Sequence, residues 1–282
     1  MKTLKWLAFS VAMMWVPFAW SSESLDRSGG PYVPTPPAVV DAMLELAGVG
    51  PRDYVIDLGS GDGRIVLTGA TRYKAGGMGV DIDPELVDRA NDSARRLGVA
   101  ERVQFVRRDV LAADVSRATV ITLYLLPGMM VSLQAKLLAE LQPGTRIVSH
   151  DLAFDKWQPD RTITVQTPEK YEISGSWTSD VHLWIVPAEV QGAWRVQREG
   201  DPGEASRLEI RQGFQRFDGR IGLRGRTLEV RGNLTGSQMS FTLPAENGGR
   251  EQFTGTVARD RIRGEVRNGE AVVARWNATR VP

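Results

Sequence analysis

The stretch Val55–Arg64, read Val-Ile-Asp-Leu-Gly-Ser-Gly-Asp-Gly-Arg, limits the fold more than any other part of this chain. An apolar run of strand length ends on an acidic residue, and a turn with glycine at 59, 61 and 63 opens onto a helical segment. Glycine lets a backbone adopt left-handed conformations and approach a ligand closely. A dinucleotide-binding corner has the same order of elements but wants its third glycine where Arg64 stands. Here the spacing is Gly-x-Gly-x-Gly, with Asp57 before it and Asp62 inside it. Two carboxylates repel a pyrophosphate and attract a ligand that carries an ammonium and a sulfonium.

A second acidic strand end supports this. Val80-Asp81-Ile82-Asp83-Pro84 follows about one strand–helix–strand unit downstream. Asp81, ending the second strand, is placed to accept both ribose hydroxyls of an adenosine, and Ile82 can lie against the adenine face. Asp83 and Pro84 read as the N-cap and first residue of a helix that Gly98 ends. Asp109 follows the short strand Val103–Val106 and can accept from an adenine amino group. Each feature alone makes a turn; at these separations they agree on one adenosine-bearing ligand.

The order of elements gives the architecture. Tyr32-Val33-Pro34-Thr35-Pro36-Pro37 sets an extended entry, with Thr35 as N-cap of a helix whose Val39, Val40, Met43, Leu44 and Leu46 share a face. Strands are expected at Tyr54–Leu58, Gly77–Asp81, Val103–Val106, Thr119–Leu125 and Arg146–Ser149. Helices are expected near Gly63–Arg72, Pro84–Leu97 and Met129–Leu141. Such alternation makes a doubly wound, mostly parallel sheet. Thr162–Thr167 and His182–Val186 have no helix between them and should close the seven-strand sheet as an antiparallel hairpin. Residues 22–190 are therefore expected to form an α/β domain.

From 191 to 282 the helical period disappears. Short alternating segments suggest a meander of about eight strands, a small all-β barrel or sandwich. Turns are expected at Asp218-Gly219, Arg231-Gly232, Asn247-Gly248 and Asn268-Gly269. Gly192-Ala193-Trp194 and Trp276-Asn277-Ala278-Thr279-Arg280 faintly resemble the calycin pattern, in which an early Trp packs beneath a late Arg.

Composition adds exclusions. At 282 residues, 42% hydrophobic and 24% charged, the chain is long enough for about two globular domains. The absence of cysteine rules out disulfides, a thiol nucleophile and thiolate metal sites, and His150 and His182 are too few for a multi-histidine metal centre. A net charge of +1 gives no sign of nucleic-acid binding, and none is expected. From Gln191 onward sixteen arginines and no lysine face eleven acidic residues, so this part is net positive. Solvated strand faces explain that, as would a surface that meets anionic lipid or polymer.

Beyond the glycine turn, three stretches match a narrower group: Tyr-Val-Pro-Thr at 32–35, Ala-Thr-Val-Ile-Thr-Leu-Tyr-Leu-Leu-Pro at 118–127, and Pro-Gly-Thr-Arg-Ile-Val-Ser-His-Asp at 143–151. With Asp57–Arg64 they resemble the class I, Rossmann-like S-adenosylmethionine-dependent methyltransferases, and among these the small protein lysine methyltransferases. Eukaryotic members of that group modify the ATP synthase c-subunit and the adenine nucleotide translocase. The resemblance covers about Tyr32 to Pro187. It implies that Asp57, Gly59, Ser60, Gly61 and Asp62 hold the methionine end of S-adenosylmethionine. Asp81 and Ile82 would hold the ribose and adenine, and Asp109 the adenine amino group. Tyr32 and Thr35 would close over the cofactor, and Tyr124 would sit where substrate and methyl donor meet.

Methyl transfer in line to a neutral nucleophile rests mostly on alignment. A lysine amine, with a reference pKa near 10.4, must first lose its proton, and a desolvated slot assists that. His150 and Asp151, after the fifth strand, could take the proton through water, or His150 could simply hydrogen-bond at a strand end. A small-molecule acceptor on the same fold is one alternative. An exported binding protein using the β domain is another. Leu126-Pro127-Gly128 stands where adenine-methylating enzymes carry Asp/Asn-Pro-Pro-aromatic.

Lys2 and Lys5 precede an apolar run, Trp6 to Trp20, and Ala19-Trp20-Ser21 offers small residues to a signal peptidase. Residues 1–21 are expected to be a cleaved signal peptide or, failing that, a membrane anchor. Both place the body in an exported, periplasmic or membrane-anchored setting, with membrane association through this segment. Both also conflict with cytoplasmic supply of the cofactor. A misassigned start codon or docking from the cytoplasmic side would remove the conflict.

Overall fold

A computed structural model describes residues 32–200, 205–223, 225–245 and 248–281. The expected signal or anchor at 1–21 and the Ser/Gly lead at 22–31 lie outside the described residues. Helix α1 (Pro37–Leu46) starts with Pro36 as N-cap, so the expected cap Thr35 is displaced by one residue. A proline supplies the fixed φ that a helix start needs. Thr35 is thereby freed to be buried elsewhere.

The seven-strand sheet takes the order β3-β2-β1-β4-β5-β7-β6. Its strands are β1 (Tyr54–Leu58), β2 (Gly76–Asp81), β3 (Val103–Arg107), β4 (Val120–Leu123), β5 (Arg146–His150), β6 (Arg161–Gln166) and β7 (Thr178–Ile185). The first five are parallel, while β7 runs antiparallel between β5 and β6. Helices α2 (Arg64–Arg72), α3 (Pro84–Arg96) and α4 (Pro127–Glu140) follow β1, β2 and β4. The carboxylate of Asp83 accepts from the N–H groups of Glu85 and Leu86 at 2.8 and 3.4 Å, fixing the start of α3. β7 begins four residues before the expected His182, because the polar Thr178–Asp180 and the buried Val181 also pair with β6.

No helix covers the crossover from β5 to β6. Phe154 and Trp157 fill that place, packed with Trp184 at ring separations of 4.9–6.2 Å. The Trp184 indole donates to the Trp157 carbonyl at 2.8 Å.

The remaining strands close a barrel, β8 (Gly192–Arg198) through β9 (Ser206–Gly213), β10 (Arg216–Leu223), β11 (Arg226–Thr235), β12 (Gln238–Pro244), β13 (Arg250–Ala258), β14 (Arg261–Asn268) and β15 (Ala271–Arg280), which pairs back onto β8. A barrel, not a sandwich, is the outcome. Phe241 stacks on Phe253 at 4.8 Å, and Trp276 meets both edge-on at 5.7 and 5.8 Å, so side chains fill the interior. Arg280 lies 4.5 Å over the Trp194 ring and donates to the carbonyls of Gln191 and Glu189, the arrangement the calycin-like ends suggested.

Two expected turns are wrong. Asp218-Gly219 and Arg231-Gly232 lie inside β10 and β11, with Asp218 opposite Arg231. A Cβ at 219 would sit 2.1 Å from the Glu209 carbonyl oxygen, and one at 232 would sit 2.2 Å from Phe217. These glycines permit close approach in a tightly coiled wall, the other reason for glycine in a strand.

The barrel meets the sheet at the edge where its parallel strands begin. Phe214, at φ +57° on the β9–β10 tip, stacks on Trp157 at 5.7 Å and 8°. Gln215 donates to the Gln158 carbonyl at 2.7 Å, and Ala188 N–H to the Gly236 carbonyl at 2.8 Å. Phe214→Ala removes the aromatic anchor and should cost about 1–3 kcal/mol. Calorimetry should then resolve the sheet and barrel as two separate melting transitions, where the parent shows coupled ones.

Candidate active site

A cleft of about 1090 Å³ opens at the opposite edge, where the parallel strands end. Its lining includes Tyr32, Thr35, Asp57, Gly59, Ser60, Gly61, Asp62, Asp81, Ile82, Asp109 and Tyr124. Eleven residues picked from sequence are thus brought together. His150 and Asp151 are not in that lining.

Asp57, the penultimate residue of β1, is 2% exposed, and Thr122 on β4 donates a 2.7 Å hydrogen bond to it. Burial pushes its carboxyl up to about 7; the Thr122 bond opposes this, and the charges of Asp81 and Asp62 add to it. Asp81 ties the two cofactor-facing turns together. One of its oxygens accepts from Gly61 N–H at 2.7 Å, the other from Asp83 N–H at 3.0 Å. Asp109 caps a short 3-10 turn, accepting from Leu111 N–H at 2.8 Å. Ile82 and Leu111, 40% and 41% exposed, give this end an apolar character.

The glycine turn is covered by the N-terminal segment. Gly61 has φ +53°, and a Cβ there would stand 2.4 Å from the Tyr32 ring, so only glycine lets that ring lie down. Asp62 does not face the cleft as a free carboxylate. Burial alone would raise its pKa, but the Arg64 guanidinium outweighs burial and holds it below the usual range. Their atoms approach to 2.7 and 2.9 Å, and Arg64 also donates to the Thr35 carbonyl at 2.9 Å. Arg64 is the residue that sequence reasoning missed. In the sequence it only closes the Asp57–Arg64 motif, at the position where a dinucleotide corner has its third glycine.

Tyr124 follows β4, half-buried. Burial and, secondarily, the charge of Asp151 raise its phenol pKa, which keeps the hydroxyl protonated. His150 lies behind it at 1% exposure, ring centroids 4.0 Å apart. Burial pushes the imidazole down to about 4, with Lys170 adding to that and Asp151 opposing it. It is therefore neutral at physiological pH. Its Nε2 is 3.0 Å from Ser179 Oγ and its Nδ1 3.5 Å from Thr35 Oγ1. Asp151, at φ +60°, pairs with Lys170 and accepts from Asp180 N–H at 3.0 Å. These contacts give His150 and Asp151 a supporting position behind Tyr124.

The donor set suits an adenosine that carries positive charge. Six carboxylates edge the cleft, those of Asp57, Asp62, Asp81, Asp83, Glu85 and Asp109, and Ser60 Oγ in the glycine turn is buried without a hydrogen-bond partner. Residues 57–161 match the family model of the ANTKMT methyltransferase domain. A protein-lysine N-methyltransferase of Saccharolobus islandicus is 39% identical over 55% of this chain and 93% of its own length. The chain belongs to this methyltransferase family.

Mouse adenine nucleotide translocase lysine N-methyltransferase is 33% identical, and the chain spans 63% of it. A Salinibacter ruber structure, described as an RNA methyltransferase with S-adenosyl-L-homocysteine, is 46% identical with TM-score 0.51, covering 56% of this chain and 96% of that one. The enzyme is an S-adenosylmethionine-dependent methyltransferase, and the family match ends before the barrel begins.

Two outcomes test the site. A bound cation favours ionised Asp57, so affinity for S-adenosylmethionine should be level above about pH 7 and fall as pH drops below it. The limit is about tenfold per pH unit for one proton. Titration calorimetry from pH 5.5 to 7 should show that slope, and Asp57→Asn should flatten it. Arg64→Met, which frees the Thr35 carbonyl, should speed cofactor release in stopped-flow by about tenfold, a fold-change worth ~1.4 kcal/mol, with Arg64→Lys intermediate.

Proposed function

We propose that the enzyme methylates the side-chain amine of lysine in a protein. The observation that carries this reading is the acceptor wall. Tyr124 is half-buried, backed by a neutral imidazole, and flanked in the cleft by Leu125 and Met129. Such surroundings disfavour an ammonium and favour the free amine. The archaeal relative, matched along 93% of its length, carries the name protein-lysine N-methyltransferase, which supports the same acceptor class.

S-Adenosylmethionine, when bound, supplies a methyl group on a positively charged sulfur. The chain's own residues do the rest. Asp57 and Asp81 anchor the two ends of the cleft, and the Arg64-held segment Tyr32–Thr35 keeps water from the glycine turn. Tyr124 offers an oxygen and an aromatic edge against which an amine can be aligned, and alignment is the larger part of such a transfer. His150, neutral and out of the cleft, supports Tyr124, so the proton of the incoming ammonium leaves to solvent.

Purified full-length enzyme with tritiated cofactor should label protein in fractionated cell extracts, and mass spectrometry should place the label on lysine. Tyr124→Ala should lower kcat about 10²-fold while cofactor affinity stays within about twofold. Label in RNA or in small molecules, with none in protein, would overturn the lysine assignment and leave the methyltransferase intact.

A further inference from the structure

The barrel sorts its charge. On the wall β9–β10–β11, opposite signs interleave: Arg207 pairs with Glu209, Arg211 with Asp218, and Arg220 with Glu229. The wall β14–β15–β8 is different. Register places Arg261 opposite Thr279, Thr279 opposite Arg195, and Arg195 opposite Arg207, a row across four strands. The next outward row holds Arg263, Asn277 and Gln197. All seven are exposed, with Arg259 on the adjoining turn and Arg275 further along β15.

Arg195, Arg259, Arg261, Arg263 and Arg275 form no ion pair among the described residues. Of the nearby carboxylates, Asp260 is engaged with Arg280, Glu265 with Arg267 and Glu209 with Arg207, while Glu199 borders only Arg275, at the far end of the wall. Strands lie about 4.8 Å apart, so the backbones at Arg261 and Arg195, two strands apart on the barrel wall, stand about 10 Å from each other. We infer that this wall docks on an anionic phospholipid surface.

The excess charge is all guanidinium, which pairs with the phosphate of a lipid or of a nucleic acid alike. Two further observations favour lipid. Val272 and Val273, near the start of β15 and each 47% exposed, lie toward the Arg275 end of the wall and can enter the headgroup layer there. The wall shows no exposed aromatic ring among the described residues, which removes the stacking that single-stranded nucleic acid uses. This inference is independent of the lysine assignment.

The test is vesicle flotation of the full-length enzyme, on phosphatidylcholine alone and on phosphatidylcholine with about three parts in ten phosphatidylglycerol. The readout is the ratio of the two partition coefficients, in which any contribution of the N-terminal segment cancels. A juxtaposed arginine adds about fivefold on an anionic surface, which sets an expected ratio of tenfold or more. The ratio should fall to near one at about 0.5 M salt, where screening is strong. It should also collapse in Arg195→Glu/Arg261→Glu/Arg263→Glu and survive in the matching Lys variant. Melting and methyl transfer to the acceptor should stay unchanged in both. A wild-type ratio near one overturns the proposal, as does a folded Glu variant that keeps the ratio. Tighter, arginine-dependent binding to duplex RNA than to the anionic vesicles would reassign the wall to nucleic acid.

Discussion

A carboxyl group buried where β1 ends is the constraint around which the site is arranged. Asp57 could be accommodated by a cationic neighbour, but none is supplied. Instead Thr122 gives it one hydrogen bond, and two further carboxylates face it at a distance. An isolated buried charge is costly, so the group sits near neutrality until a cation arrives. The protein therefore holds electrostatic free energy in reserve for a positively charged ligand. A neutral or anionic nucleotide would not release it. The same glycine turn that in other folds receives phosphate is set here for a cationic donor by the sign of its neighbours.

How much of this was legible follows from which residues signal locally. Gly59, Gly61 and Gly63, Asp81 and Asp109 announce themselves because each ends a strand or forces a turn, and strand ends at fixed intervals must converge on one edge of a parallel sheet. Tyr32 and Thr35 were identified through the resemblance. Their contacts, with Gly61 and with the Arg64 guanidinium, join segments about thirty residues apart and leave no periodic trace. Arg64 was invisible for the same reason: nothing in the sequence says that its fork reaches both Asp62 and the Thr35 backbone. His150 and Asp151 stand out as polar residues after a strand. Their depth behind Tyr124 depends on β7 and on the turn carrying Lys170, which close over them.

The barrel shows the opposite pattern, with its number of strands legible and its turns less so. Alternation fixes which face of each strand is buried, and that pattern survives any error in turn placement. Gly219 and Gly232 read as turns since glycine after Asp or Arg commonly marks one. In the wall they act through absent side chains, letting Phe217 and the Glu209 carbonyl come close. Curvature in a small closed barrel has to be made somewhere, and a strand with no Cβ at the tightest point is one way to make it.

The two halves divide the work by position. The barrel grips the sheet where the parallel strands begin, through Phe214 against Trp157, and leaves the other edge open for cofactor and acceptor. Trp157 in turn belongs to the aromatic plug that replaces a helix after β5, so the barrel rests on the least regular part of the sheet unit. A helix there would have offered a polar outer face; the plug offers aromatic surface that needs covering. The barrel tip supplies that cover, with Phe214 at the first position of the β9–β10 turn, where a left-handed backbone (φ +57°) presents its ring. The added module is thus part of the core of the enzyme at this point, and its freedom to act as a docking surface lies on the walls that face away.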